Sequence, residues 1–147
     1  MTLPKGTHLI TVPGTGSREL NRIFQINGNQ GGRFIHVHEV PPGMEIDRII
    51  VPVRHPYDIV LTYIKRGERP IKLEGYCQDM DVLLQKHEHI IVPVDIPGLR
   101  DERLRQYATN PEWVQTGKTE GTPKITQAWC KVLVSIWKLE LFGDYCD

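Results

Sequence analysis

The sequence predicts an α/β fold of three layers, α/β/α, around a short parallel sheet. Three observations lead there. Short apolar runs alternate with amphipathic stretches along the chain, as strand–helix repeats require. The string IIVPV occurs twice, at Ile49–Val53 and Ile90–Val94, and runs this apolar belong to strands covered on both faces. Each copy is followed by a polar residue and a turn, RHP or DIPG, so each strand ends where open α/β sheets bind ligands. The flanks of the two copies differ, which makes them parallel neighbours and not an internal repeat.

At 147 residues the chain is expected to form one domain, 1–147, with one solid core. It carries 18 Lys plus Arg against 18 Asp plus Glu. That balance lacks the basic excess of nucleic-acid and membrane-surface binders, so neither partner is expected. No apolar run approaches the roughly 18 residues of a membrane span, and the first apolar segment is too short for a signal peptide. Cys77, Cys130 and Cys146 form an odd set without a CxxC pair. They read as free thiols in a reducing compartment, and a cytoplasmic location is expected.

Thr7–Val12 reads as the first strand and Arg18–Asn27 as a helix. The turn between them, PGTGS, would expose backbone N–H groups at a helix N-terminus, which can cradle a phosphate without a basic side chain. Gly14 and Gly16 allow close approach, and Thr15 and Ser17 add hydroxyl donors. The turn is not a Walker A loop, since no Gly-Lys-Ser/Thr occurs, and Glu19 stands where a GxGxxG motif has its third glycine. On pattern alone, a plain strand-to-helix turn is the equal alternative.

Phe34–His38 reads as the second strand, with His36 and His38 on one face. The central strand runs from Ile49 to Val53, although Pro52 cannot complete a sheet ladder, so the ladders should end near the prolines. Pro56 suits the first turn of a helix that Gly67 ends, with Ile59, Val60, Tyr63 and Ile64 on its apolar face. Gln78–Lys86 reads as a further helix. Leu99–Tyr107 reads as a charged one, with Arg100, Arg103 and Arg105 as a solvated face. Thr109–Pro123 is polar and rich in turn residues, and Trp113 within it suits packing better than stacking on a base. Thr122 caps and Pro123 opens a last helix to about Phe142. Its stripe of Ile125, Trp129, Val132, Leu133, Ile136, Trp137 and Leu141 fits a core or a dimer face, through which the chain would self-associate.

Arg54-His-Pro-Tyr-Asp58, followed by Thr62, resembles the 3′-phosphate-binding segment of the sulfotransferase family. In that segment a strand ends in an arginine and a hydroxyl residue follows eight positions on, the spacing of Arg54 and Thr62 here. Pro13, Thr15, Gly16, Ser17, Arg18 and Leu20 are similar to the family's 5′-phosphosulfate loop. Where that loop carries a lysine, this chain has Gly14. Val37-His38-Glu39-Val40-Pro41 is similar to the family's Thr-His-x-Pro segment, with one extra residue before the proline. The resemblance covers Thr7–Gly67 and, loosely, Ile90–Tyr107, where Asp95 matches an aspartate of the family.

The resemblance implies a P-loop-like, sulfotransferase-like fold and 3′-phosphoadenosine 5′-phosphosulfate (PAPS) as nucleotide cosubstrate. Gly14, Thr15, Gly16, Ser17 and Arg18 would hold the phosphosulfate, with Arg18 also standing in for the missing lysine. Arg54, helped by Thr62, would grip the 3′-phosphate. His38 would be the base that takes the acceptor's proton, a role suited to histidine, with Glu39 as the fallback. The acceptor itself, a hydroxyl or an amine, is not legible. No metal is expected: a His-x-His pair would need His55 or His89 as a third ligand, and no cysteine or carboxylate spacing supports zinc. Gly14 also supports a rival reading, a sulfotransferase-fold binding or assembly protein without catalysis. A P-loop nucleotide kinase is the third reading, and it lacks its Walker lysine.

Overall fold

A computed structural model describes residues 6–26, 34–106 and 140–145. The elements in order are β1 (Thr7–Thr11), α1 (Ser17–Ile26), β2 (Phe34–His36), a 3-10 turn (Val37–Glu39), β3 (Arg48–Val53), α2 (Pro56–Lys65), α3 (Pro70–Lys86), β4 (Glu88–Pro93), α4 (Pro97–Arg105) and a final 3-10 segment (Glu140–Tyr145). The four strands form one sheet in the order β2-β1-β3-β4, parallel throughout. The general α/β expectation holds.

The alternation of side chains along β1 and β3 divides the core in two. Ile10, Val12, Ile49, Val51 and Val53 join Ile59 and Tyr63 of α2 and Leu73, Cys77, Met80 and Leu84 of α3. Leu141 and Phe142 close that side. Leu9 and Ile50, with Ile90, Val92 and Val94, pack with Leu20 of α1 and Leu104 of α4 in the other cluster. Each such aliphatic side chain, fully buried, contributes about 1.5–3 kcal/mol of transfer free energy.

The ladders end near the prolines, as expected, the β3–β4 pairing stopping at Val53 opposite Pro93. That ladder passes through Pro52, which stands opposite Val92. Val53 accepts from the Val94 N–H at 2.9 Å, so the peptide groups of Pro52 face β1 instead. On that side the pairing has already ended, at Leu9 opposite Ile50. The missing donor therefore falls where β1 and β3 part. Pro93 has its nitrogen on the side of β4 away from β3, where no described strand pairs and proline is tolerated.

Three expectations are corrected. The second strand stops at His36, and Val37–Glu39 turn as a 3-10 helix, which breaks the two-residue period linking His36 to His38. The arginines of α4 are not a uniform solvated face. Arg100 is fully buried, with its Nε donating to Asp101 at 3.1 Å and its Nη1 to the Val94 carbonyl at 3.3 Å. Arg103 donates to both carboxylate oxygens of Asp144 and to the Ile91 carbonyl, tying the final segment to the sheet. Only Arg105 is exposed as expected. The helix predicted over Gln78–Lys86 begins earlier, at Pro70. Trp113 and most of the last predicted helix, with the dimer face expected there, lie outside the described residues. No described helix is long and apolar enough to cross a membrane.

Candidate functional site

The strand order places the site. The chain runs from β1 through α1 to β2 on one side, then crosses to β3 on the other. Connections leaving in opposite directions open a crevice beyond the carboxyl ends of the two strands, the usual ligand position in open α/β sheets. β1 leads there into the glycine turn, and β3 leads into Arg54.

The turn is built to bring backbone close to a ligand. Gly14 and Gly16 have φ of +83° and +100°, the left-handed region that favours glycine. A Cβ on Gly16 would stand 2.6 Å from Val94 Cγ2, and one on Gly14 would stand 3.0 Å from Tyr63 Cε1. Tyr63 supports the turn from α2, its phenol donating to the Pro13 carbonyl at 2.5 Å. Burial, reinforced by Cys77 and Glu68 nearby, raises that phenol well above its ordinary pKa, so it remains a donor. Thr15 is turned inward. It is fully buried, its hydroxyl donates to the Val12 carbonyl at 2.6 Å, and it lies 3.0 Å from the Thr11 hydroxyl. Its side chain holds the turn together and is not presented to a ligand.

Gly14, Gly16, Ser17, Arg18 and Arg54 line one cavity of about 400 Å³, together with Pro13, His36 and Arg66. Three guanidinium groups, an imidazole and the N-terminus of α1 thus meet, and none of the described residues lining the cavity is a carboxylate. In a chain of zero formal charge this is a local concentration of positive potential. Thr62 does not line the cavity and acts through Arg54. Nη2 of Arg54 donates to the Thr62 hydroxyl and, at 3.3 Å, to the Asp58 carbonyl. The same hydroxyl donates to that carbonyl at 2.9 Å. The Nε of Arg54 is buried and has no hydrogen-bond partner among the described residues. An orphaned buried donor costs free energy, which a shift of the side chain toward a bound oxyanion would recover.

The loop after β3 is held from β4. Asp95 accepts from the His55 backbone N–H at 2.9 Å through Oδ2 and from the Tyr145 hydroxyl through Oδ1. Burial holds the His55 imidazole below its ordinary pKa, although Asp58 and Asp95 pull it upward. Burial raises the Asp58 carboxyl, against the pull of Arg54 and His55.

The two histidines of the 34–39 segment part company. His36 lines the arginine cavity. His38 lines a separate groove of about 520 Å³, with Val37, Val40, Met44, Ile46 and Leu83 on its walls. Their rings are nevertheless only 5.6 Å apart, and His38 stacks on Tyr76 at 4.8 Å. The sequence reading did not single out Arg66, an exposed arginine just past α2 with no motif around it, or assign His36 a role beyond its pairing with His38.

No family model, curated protein or solved structure matches this chain.

Proposed function

We propose that the chain binds a nucleotide bearing two separated anionic groups, of the class of 3′-phosphoadenosine 5′-phosphosulfate, and transfers its sulfuryl group to a hydroxyl or amine acceptor. One observation carries this reading. The glycine turn and Arg54 line the same cavity, which supports one ligand reaching two distinct anion-holding devices. The N-terminus of α1, with Ser17 and Arg18, suits a phosphosulfate. Arg54 suits the 3′-phosphate, with its guanidinium oriented by Thr62 and its Nε without a partner among the described residues. Such a cosubstrate supplies the group to be moved, so the chain's own work is positioning and neutralising charge.

The histidine pair supports an acceptor approaching from the groove side. His38 lines that groove and would take the proton of the attacking hydroxyl or amine, while His36 faces the arginine cavity. A second reading is favoured by Gly14, whose left-handed backbone replaces the family's lysine. In it the cavity binds the nucleotide and no transfer follows.

Calorimetric titration with adenosine 3′,5′-bisphosphate tests the site. Wild type should bind in the micromolar range, and Arg54→Ala should weaken binding by about tenfold or more, as loss of a charge-assisted hydrogen bond does. Absence of binding by folded wild type would sink both readings. Binding without turnover of PAPS against a panel of acceptors would leave the second.

A further inference from the structure

The 3-10 turn after β2 does more than end a strand. In a continued strand Glu39 would point away from His36 and His38. The turn over Val37–Glu39 instead gathers all three side chains: a ring nitrogen of His36, a ring nitrogen of His38 and a carboxylate oxygen of Glu39 all lie within 4.8 Å of one another. The His38 Nε2 and Glu39 Oε1 already face each other at 3.6 Å.

We propose that His36, His38 and Glu39 form a binding site for a late first-row divalent cation, with zinc as the type. Two imidazoles and one carboxylate are donors that such ions accept, at about 2.0–2.2 Å from the metal. Ligands around a tetrahedral ion stand roughly 3.4 Å apart, so small side-chain rotations close the present spacing. The stack of His38 on Tyr76 limits the ring's freedom before any metal arrives. Side-chain exposure of 38% for His38 and 62% for Glu39 leaves room for solvent on the ion. Three protein ligands with an open position is the pattern of reactive zinc sites, not of structural ones. The third ligand is a neighbour in sequence, not the distant His55 or His89 that a His-x-His pair alone would require.

The site adjoins the arginine cavity through His36 and shares His38 with the sulfuryl-transfer reading, so the two make opposite demands on His38. A metal on His38 occupies the lone pair that would accept the acceptor's proton. Zinc should therefore inhibit any transfer that uses this histidine.

The test is calorimetric titration of the full chain with zinc chloride, paired with the visible absorption spectrum of the cobalt(II) form. Wild type should bind one equivalent in the micromolar range and show the intense d–d bands of a four- or five-coordinate ion. His36→Gln and His38→Gln should each weaken binding by about tenfold or more, equivalent to about 1.4 kcal/mol. Glu39→Gln, at an exposed position where folding is not at stake, should also weaken it and alter the cobalt spectrum. Arg54→Ala, which removes a positive charge from the cavity that His36 lines, should not weaken metal binding although it weakens nucleotide binding, and this separates the two sites. Failure of wild type to bind, or binding unchanged in all three ligand variants, would overturn the proposal. An octahedral cobalt spectrum identical to that of the free ion would do the same.

Discussion

The guanidinium of Arg54 donates to the hydroxyl of Thr62, eight residues further along the chain. That hydroxyl also donates to the Asp58 carbonyl at 2.9 Å, so its direction is fixed from behind. Thr62 therefore sets where Arg54 points without touching a ligand itself. Thr62→Val removes the oxygen and keeps the shape. It should weaken binding of adenosine 3′,5′-bisphosphate by about threefold to tenfold, the worth of one hydrogen bond, and less than Arg54→Ala does. Thr62→Ser should restore most of the affinity. Equal affinities for Thr62→Val and wild type, read by calorimetry, would show that the helix alone orients Arg54.

The glycine turn makes a second prediction, about stability. Gly16 combines φ of +100° with a Cβ position 2.6 Å from Val94, a branched side chain in the core. Gly14 combines φ of +83° with a Cβ position 3.0 Å from the Tyr63 ring. The left-handed conformation alone costs an ordinary residue about 1–2 kcal/mol, and forced repacking adds about 1–3 kcal/mol. Gly16→Ala should therefore lose about 2 kcal/mol or more in urea denaturation, and Gly14→Ala about 1–2 kcal/mol. Gly14→Lys should suffer the same backbone penalty. It should yield no gain in transfer activity, since a lysine placed there strains the turn it would have to serve.

Much of the architecture was legible because parallel strands buried on both faces are apolar along their length. The two IIVPV runs do lie side by side, in register from Ile49 opposite His89 to Val53 opposite Pro93. Pro56 marked the start of α2 because its fixed φ and missing N–H suit a first turn. Pro70 does the same for α3, but Gly75 and the polar residues around it hid the first turns of that helix. Arg100 was misread because burial of a guanidinium depends on partners that no local pattern announces, here Asp101 and the Val94 carbonyl. At the site, Gly14, Gly16 and Ser17 stand out as a glycine turn before a helix, Arg54 as the residue that ends a strand, and Arg18 only through the resemblance to sulfotransferases; all five line one cavity. Thr15 was taken for a ligand donor because a hydroxyl in a turn says nothing of which way it faces. His36 and His38 were placed on one face because two-residue alternation was extended past the point where the strand ends, at His36.

The last prediction concerns pH and rests on His55. This histidine is buried at the carboxyl end of β3, edge-on to Tyr145 at 5.4 Å, with Asp58, Asp95 and the Arg54 turn around it. Burial lowers its pKa from the ordinary histidine value of about 6.5, and the two carboxylates do not reverse the shift. Between the lowered folded value and the unfolded one, the unfolded chain binds more protons, so stability rises with pH there. The His55 contribution is thus fully present above about pH 7 and declines as pH falls through about 6.5 toward the folded value. Asp58 acts in the opposite sense. Its pKa is raised above 3.8, so its contribution is present below that value and is lost as pH rises through the folded pKa. Urea midpoints measured from about pH 8 down to about pH 5 should fall in wild type. The fall should be shallower in His55→Gln, which keeps the backbone N–H bonded to Asp95. In Asp58→Asn the opposing acid contribution disappears, so the fall toward the lowest pH should be steeper. A wild-type curve whose slope is unchanged by His55→Gln would show that the imidazole titrates alike in the folded and unfolded chain, against what its burial dictates.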